Sequence, residues 1–336
     1  HPGDGLDRLM DYDALIVANP VRAFSEQTKF MLDQYLMGGG SMLWFVNPVY
    51  ASLDSLQMNG ETFGLPQDLN LDDMFFRYGL RMNKNLLMDL QAAPLPVFTG
   101  NVGREQINLL PWFYFPMLNP ASSHSIVKNL NVMRAAYASS LDTTEVEGVI
   151  RIPLLNTSRY TRIMPVPVHI SLGILSQPPD PSRFNAPSQA VAYLMEGRFP
   201  SLFQNRRLPE SVLPPSYTFA SVSVPTAMIV VADGDFVRSE TGPSGQIYPL
   251  GFDRYSGETF GNKDFVMNAV HYLAGERGML EARTREIGMR PLDGPMLARY
   301  KTSLQWANLL FPILLVVAWG VIRLLLREYR NKHKQW

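Results

Sequence analysis

Two kinds of apolar pattern divide this chain. In the first, short and nearly unbroken apolar runs are bounded by Asp, Asn, Pro or Gly: Ala14-Leu-Ile-Val-Ala18, Met42-Leu-Trp-Phe-Val46 and Pro225-Thr-Ala-Met-Ile-Val-Val-Ala232. Runs of this length, apolar on both faces, read as buried strands. The second kind occurs once, near the end, where Trp306-Ala-Asn-Leu-Leu-Phe-Pro-Ile-Leu-Leu-Val-Val-Ala-Trp-Gly-Val-Ile322 is interrupted by a single polar side chain, Asn308. It is apolar around its whole circumference, whereas a helix on a globular surface carries an apolar stripe.

Between the first two strands the period changes. Ser25 can cap a helix with Glu26 in its first turn, and Met31, Leu32, Tyr35 and Leu36 give that helix an apolar face. Gly38-Gly-Gly40 then stops it. Strand, helix and strand in this order predict a right-handed βαβ unit. Further along, residues 70–78 read as a short helix, 85–90 as a strand, 149–162 as one or two strands, 189–195 as a strand and 263–274 as a helix. Residues 94–96 and 110–116 have strand-like side chains but too much proline for a central position. Residues 177–187 and 207–216 are rich in Pro, Ser and Asn and read as loops, with a possible subdivision of the domain between them. The fold class expected is α/β: a largely parallel sheet with flanking helices, of flavodoxin-like or class I glutamine-amidotransferase-like type, plus one C-terminal transmembrane helix.

An α-helix rises about 1.5 Å per residue, so about 20 residues cross a hydrocarbon core about 30 Å thick. Residues 304–326 suffice. Five Lys/Arg lie from Arg323 onward, against Arg299 and Lys301 on the near side, and excess Lys/Arg marks the cytoplasmic end. The expected layout is an extracytoplasmic domain over 1–300, a membrane span over 304–326 and a cytoplasmic basic tail over 327–336. Export of such a domain needs a signal upstream of His1, so a preceding segment is expected. Within the span, Asn308, Pro312 and Gly320 are candidate contacts for other membrane helices, because polar and small residues favour helix association.

Composition narrows the function. The 336 residues carry no net formal charge, with 46% hydrophobic and 18% charged residues. This describes a globular chain with no electrostatic reason to bind nucleic acid. The absence of cysteine removes disulfides, thiolate metal sites and a cysteine nucleophile. Neither phosphate-loop pattern is present, so any ATP hydrolysis belongs to another chain. His124, His169 and His271 lack zinc spacing, and no cofactor is expected.

The chemistry-bearing candidate is Asp233-Gly-Asp235, at the C-terminal end of a predicted strand, where open α/β sheets place their ligands. It is open to three readings: turn capping, contact with a ligand or partner, and acid–base work, the last with Glu196 as a candidate second carboxylate for glycoside hydrolysis. The run Trp112-Phe-Tyr-Phe115 is open to reading as a sugar platform, a packed edge or a protein contact.

Four segments carry a family resemblance: Tyr12-Asp-Ala-Leu-Ile-Val-Ala-Asn-Pro20 through Gly40; Val191-Ala-Tyr-Leu-Met-Glu-Gly-Arg-Phe-Pro-Ser-Leu-Phe-Gln-Asn-Arg206; Met228-Ile-Val-Val-Ala-Asp-Gly-Asp-Phe236; and Phe260-Gly-Asn-Lys-Asp-Phe-Val-Met-Asn-Ala-Val-His-Tyr-Leu273. In this order they resemble the gliding-motility-associated ABC transporter components of the GldG family. The resemblance implies an auxiliary, often termed substrate-binding, subunit in the inner membrane with a periplasmic domain, working with a permease and an ATPase subunit. It also implies an amidotransferase-like scaffold, here without the cysteine its catalytic members need. Asp233, Asp235, Asn262 and Asp264 are its candidate ligand or partner contacts. The alternative reading is an extracytoplasmic glycan hydrolase or a glycan-binding module of the envelope.

Overall fold

The apolar runs become neighbours in one sheet. In the computed structural model, which describes residues 5–99, 106–207, 218–242, 244–275 and 294–332, a short helix α1 (Leu6–Leu9) leads into β1 (Ala14–Ala18). Helix α2 (Glu26–Met37) then crosses to β2 (Ser41–Phe45), which lies parallel to β1 with Ala14 opposite Ser41. The predicted βαβ unit is therefore present. Ser25 caps α2, its Oγ accepting from the Thr28 N–H at 3.1 Å. Gly40 lies against the Tyr35 ring, where a Cβ would come within 2.4 Å of ring carbons, so the helix and β2 can pack this closely only with glycine there.

The chain continues through β3 (Val49–Tyr50), α3 (Leu53–Asn59), β4 (Glu61–Pro66), α4 (Asp72–Tyr78), β5 (Leu80–Met82) and β6 (Asn85–Asp89). Next come β7 (Ala92–Thr99), β8 (Gln106–Pro120), β9 (Met133–Arg134), β10 (Leu141–Thr143), β11 (Val149–Asn156), β12 (Thr161–Pro165) and β13 (Val168–Ser171). The globular part closes with β14 (Ala190–Gly197), β15 (Thr226–Val231) and α5 (Asn262–Leu273). The main sheet runs β1-β2-β15-β14-β11-β8-β7, with β9 beside β8.

The expectation of a largely parallel sheet is corrected here. Only β1, β2 and β15 run parallel; β14, β11, β8 and β7 join antiparallel. An apolar run suits either direction, and direction is set by whether the connection crosses over the sheet. Nor is β1 buried throughout. It is the sheet's edge, and its Ile16 is 52% exposed. The proline-rich strands β7 and β8 pair with each other at the opposite end, where missing N–H donors cost least.

Alternation along the parallel strands feeds two cores. Met42, Trp44, Met228 and Val230 pack on one face with Phe30, Tyr35 and Phe75. Leu43, Phe45, Ile229 and Val231 pack on the other with Phe265 and Ala269 of α5. Helix α2 is more deeply set than its apolar face suggests, since Lys29, Asp33 and Gln34 are buried as well. A third core holds Trp112, Phe113, Tyr114 and Phe115. All four rings are buried, which corrects the sugar-platform reading of that run.

The chain forms two compact units, His1–Arg290 and Pro291–Trp336. The second is dominated by one helix, Gly294–Lys332. Its apolar stretch Gln305–Arg323 has 19 residues, about 28 Å of helix, close to a bilayer's hydrocarbon thickness. Its side chains are exposed on every side, among them Trp306, Leu314, Val316 and Trp319. Residues 327–332 of the expected basic tail continue the helix; 333–336 lie outside the described residues, as do 208–216 of the second predicted loop.

Candidate functional site

Three parallel strands end side by side, and a polar residue stands one or two positions past each end. Asn19 follows β1, Asn47 follows β2, and Asp233-Gly-Asp235 follows β15. Asn19 Nδ2 donates to Asp235 Oδ1 at 3.3 Å, and Asn47 Nδ2 donates to Asp235 Oδ2 at 3.2 Å. Asn47 Nδ2 also reaches Asn19 Oδ1 at 3.2 Å, while Asn47 Oδ1 accepts from the Gly234 N–H at 2.6 Å. Gly234 is needed at this crossing, because a Cβ there would stand 2.5 Å from Asn19 Oδ1.

The two aspartates of the motif do different work. Asp233 is fully buried and accepts from three backbone N–H groups: Ala136 at 2.7 Å, Asp235 at 2.9 Å and Phe236 at 3.0 Å. It caps the turn Asp235–Val237 and ties it to the segment after β9. Burial, and then the neighbouring Asp235 carboxylate, push the Asp233 carboxyl up to about 8 against the pull of those N–H groups. Asp235 lies at the wall of a cleft of about 470 Å³ that Asn19, Asn47, Tyr50, Arg134, Tyr137 and Arg238 also line, within the size range of small-molecule sites.

The other predicted residues divide. Asn262 is buried at the cleft wall, but its amide is used in fastening: Oδ1 accepts from the Arg134 N–H, and Nδ2 donates to the Arg134 and Phe236 carbonyls. Asp264 is exposed in the first turn of α5, well placed against the helix dipole, and is not part of the cleft wall. Glu196 sits toward the other end of the sheet. It pairs with Ala227, six residues before Asp233, and accepts from the Tyr272 hydroxyl at 2.6 Å. Six strand residues span about 20 Å, too far for the carboxylate pair of a glycosidase. Among the described residues no cluster of three His, Cys, Asp or Glu could hold a metal.

Arg134, Tyr137 and the two asparagines were not singled out from sequence. The asparagines did leave a signal, since both strands end in Asn-Pro, at 19–20 and 47–48. Arg134 comes from a two-residue strand with no pattern of its own. Its guanidinium meets Glu240 Oε1 at 2.8 Å and Asp253 Oδ2 at 3.3 Å, and lies over the Phe115 ring at 4.9 Å.

The raised Asp233 predicts a pH dependence of stability. Its folded form keeps a proton that the unfolded carboxyl gives up near its ordinary value, so the stabilisation is full below about pH 4. It is lost as pH rises toward 8. Asp33 and Asp89, also raised by burial, push in the same direction. Urea unfolding between pH 5 and 8 is expected to give a falling free energy, and Asp233→Asn to flatten the slope. Equal slopes in both proteins would remove Asp233 as the cause.

In the second unit, Asn308, Pro312 and Gly320 lie on the exposed helix. Pro312 has no N–H to offer the Asn308 carbonyl one turn earlier. At 100° per residue, Lys301, Gln305, Asn308, Pro312, Trp319 and Arg323 fall within one arc of about 60°. Arg323 lies over the Trp319 ring at 5.3 Å. Gly320 stands on the flank of that arc, with open space where a Cβ would be.

A mixed α/β unit with a partly parallel sheet and a polar cleft, followed by an exposed apolar helix long enough to cross a bilayer, defines a membrane-anchored α/β protein. The chain belongs to the ABC-type uncharacterized transport system auxiliary family, whose model matches residues 3–269. It is thus a non-catalytic auxiliary component associated with ABC transport. No curated protein matches the chain. Among solved structures it is similar to the mmIFT52 N-terminal domain, at 10% identity over 80% of each chain with a TM-score of 0.41.

Proposed function

We propose that this chain is a subunit of an ABC transport complex serving gliding motility or another envelope function, and that it works beside a permease and an ATPase. The part of the chain before the span, residues 1–300, stands on the periplasmic side of the inner membrane. The span lies within 304–326, and the basic end from 327 faces the cytoplasm. The observation that carries this reading is the terminal helix. Its exposed apolar side chains need a solvent as apolar as themselves, and it ends in an excess of positive charge.

The arc that carries Asn308 and Pro312 supports contact with the permease. Inside hydrocarbon, the Asn308 side chain and its carbonyl freed by Pro312 need partners, and a neighbouring helix supplies them at about 1–2 kcal/mol per hydrogen bond. Gly320, on the flank, allows close approach. Solubilised in mild detergent, the full chain is expected to bring down a permease and an ATPase. Asn308→Leu combined with Gly320→Leu should lower their recovery severalfold while leaving the chain in the membrane. A wild-type chain that emerges as a solitary monomer under the same conditions would overturn the assignment.

A further inference from the structure

The cleft at the strand ends carries two signs of a site kept for a ligand. Four non-glycine residues among those described have positive φ, and two of them, Asn19 (φ 45°) and Tyr137 (φ 56°), line this one cleft. Such conformations are held at ligand clamps more often than elsewhere because the surrounding structure must offset their strain. Tyr137 is also 2% exposed, and its hydroxyl, which has the Trp112 indole N–H beside it, finds no acceptor for its own O–H among the described residues. A buried hydroxyl left unsatisfied is costly and calls for an explanation.

The charges of the wall indicate what kind of ligand would fit. Its three arginines are already engaged with carboxylates of the same wall. Arg134 meets Glu240 and Asp253, Arg238 lies 3.9 Å from Asp54 and 3.7 Å from Asp235, and Arg254 lies 4.0 Å from Glu240. The three arginines thus face four carboxylates, Asp54, Asp235, Glu240 and Asp253, which leaves no cation to select an anionic ligand and leaves acceptor capacity for hydroxyls. What remains is neutral recognition: an amide N–H of Asn19 not used toward Asp235, unused acceptor positions on Asp235, and the ring of Tyr50, which is 54% exposed. An amide donor beside a carboxylate acceptor suits vicinal hydroxyls, which both accept and donate, and an exposed tyrosine ring offers the apolar wall that a sugar's C–H face needs.

We propose that this cleft binds a neutral, hydroxyl-rich small molecule of mono- or disaccharide size, with Asn19 and Asp235 holding its hydroxyls and Tyr50 its apolar face. The site stands independently of the transport complex proposed above.

The test uses the full chain in an amine-oxide detergent, chosen because it has no sugar head group. Saturation-transfer NMR and calorimetric titration are run with D-glucose, N-acetyl-D-glucosamine and maltose, and with the charged dipeptide Ala-Glu for comparison. At least one sugar is expected to bind saturably. Its Kd should rise about tenfold or more, about 1.4 kcal/mol, in both Asp235→Ala and Tyr50→Ala. Tyr50 projects from a two-residue strand at the surface, so its variant should melt with the wild type and keep the test readable if Asp235→Ala does not fold. The proposal is overturned if none of the three sugars saturates, if the dipeptide binds in their place, or if the Kd is unmoved in a folded Tyr50→Ala protein. None of these measurements involves the permease or the ATPase, so their outcome and that of the co-purification are read separately.

Discussion

Asp33→Ala is expected to destabilise the globular unit by about 4 kcal/mol, a large share of the 5–15 kcal/mol that holds a typical domain folded. Asp33 is fully buried in the middle of α2 and accepts four hydrogen bonds. Oδ1 accepts from the Tyr78 hydroxyl at 2.8 Å and the Leu202 N–H at 2.7 Å; Oδ2 accepts from the Ser201 hydroxyl at 2.7 Å and from Gln34 Nε2 at 2.9 Å. Truncation leaves these donors facing a small void. Each buried donor stranded in this way costs about 1–3 kcal/mol, and the costs add incompletely because water or a shifted side chain can reach some of them. Asp33→Asn keeps the shape and the acceptor for Tyr78 and Leu202, but turns an NH₂ toward the Gln34 amide. It should cost less than half as much. Urea unfolding monitored by tryptophan fluorescence gives both values from the shift in midpoint. If the alanine variant unfolds within 1 kcal/mol of wild type, the network is not what seats α2 against α4 and the loop after β14.

The second large effect concerns the anchor. Leu314 and Val317 lie near the centre of the apolar stretch and are exposed. An arginine at the centre of a membrane helix costs about 2.5–3.5 kcal/mol on the insertion scale. Changing both to arginine therefore opposes insertion by about 6 kcal/mol, enough to reverse it. After alkaline carbonate extraction, wild-type chain should remain with the membrane pellet and the double variant should appear in the supernatant. Leu314→Phe, which is apolar, should behave as wild type. A double variant that stays in the pellet while still folded would show that something other than this helix holds the chain.

Much of the fold was legible because much of it is local. The β1–α2–β2 unit was marked by two apolar runs, a serine cap and a glycine stop, all within reach of one another along the chain. Helix α5 was marked by the spacing of Phe265, Ala269 and Leu273. Strand direction was less accessible. Residues 190–197 look as much like a parallel strand as residues 226–231 do, yet β14 runs antiparallel to β15. Lys29 and Asp33 are charged residues that the apolar pattern of α2 leaves unassigned. They are buried because α4 carries Asp73 and Tyr78 across to meet them, with Lys29 Nζ 2.8 Å from Asp73 and Asp33 bonded to Tyr78. A satisfied polar group can be buried at acceptable cost, and only the fold supplies the partner.

The candidate site shows the same division. Asp233 and Asp235 were visible as two carboxylates at a strand end, but their separate roles were not. One caps a turn with no exposed surface, and the other faces a cleft. The difference comes from Ala136 and from two asparagines more than 180 residues away in sequence. The Trp112–Phe115 run left its reading open for a related reason, since aromatic content alone does not say which sheet or core will cover a ring.

The amino-acid sequence by itself determined the membrane helix, the βαβ start of the sheet and the lack of a cysteine nucleophile, because each depends on residue type or on contacts within about twenty neighbours. The tertiary structure alone decided the mixed strand directions, the burial of α2's polar residues and the meeting of Asn19, Asn47 and Asp235. Those features depend on strands paired across long stretches of chain, and neither periodicity nor composition carries that pairing.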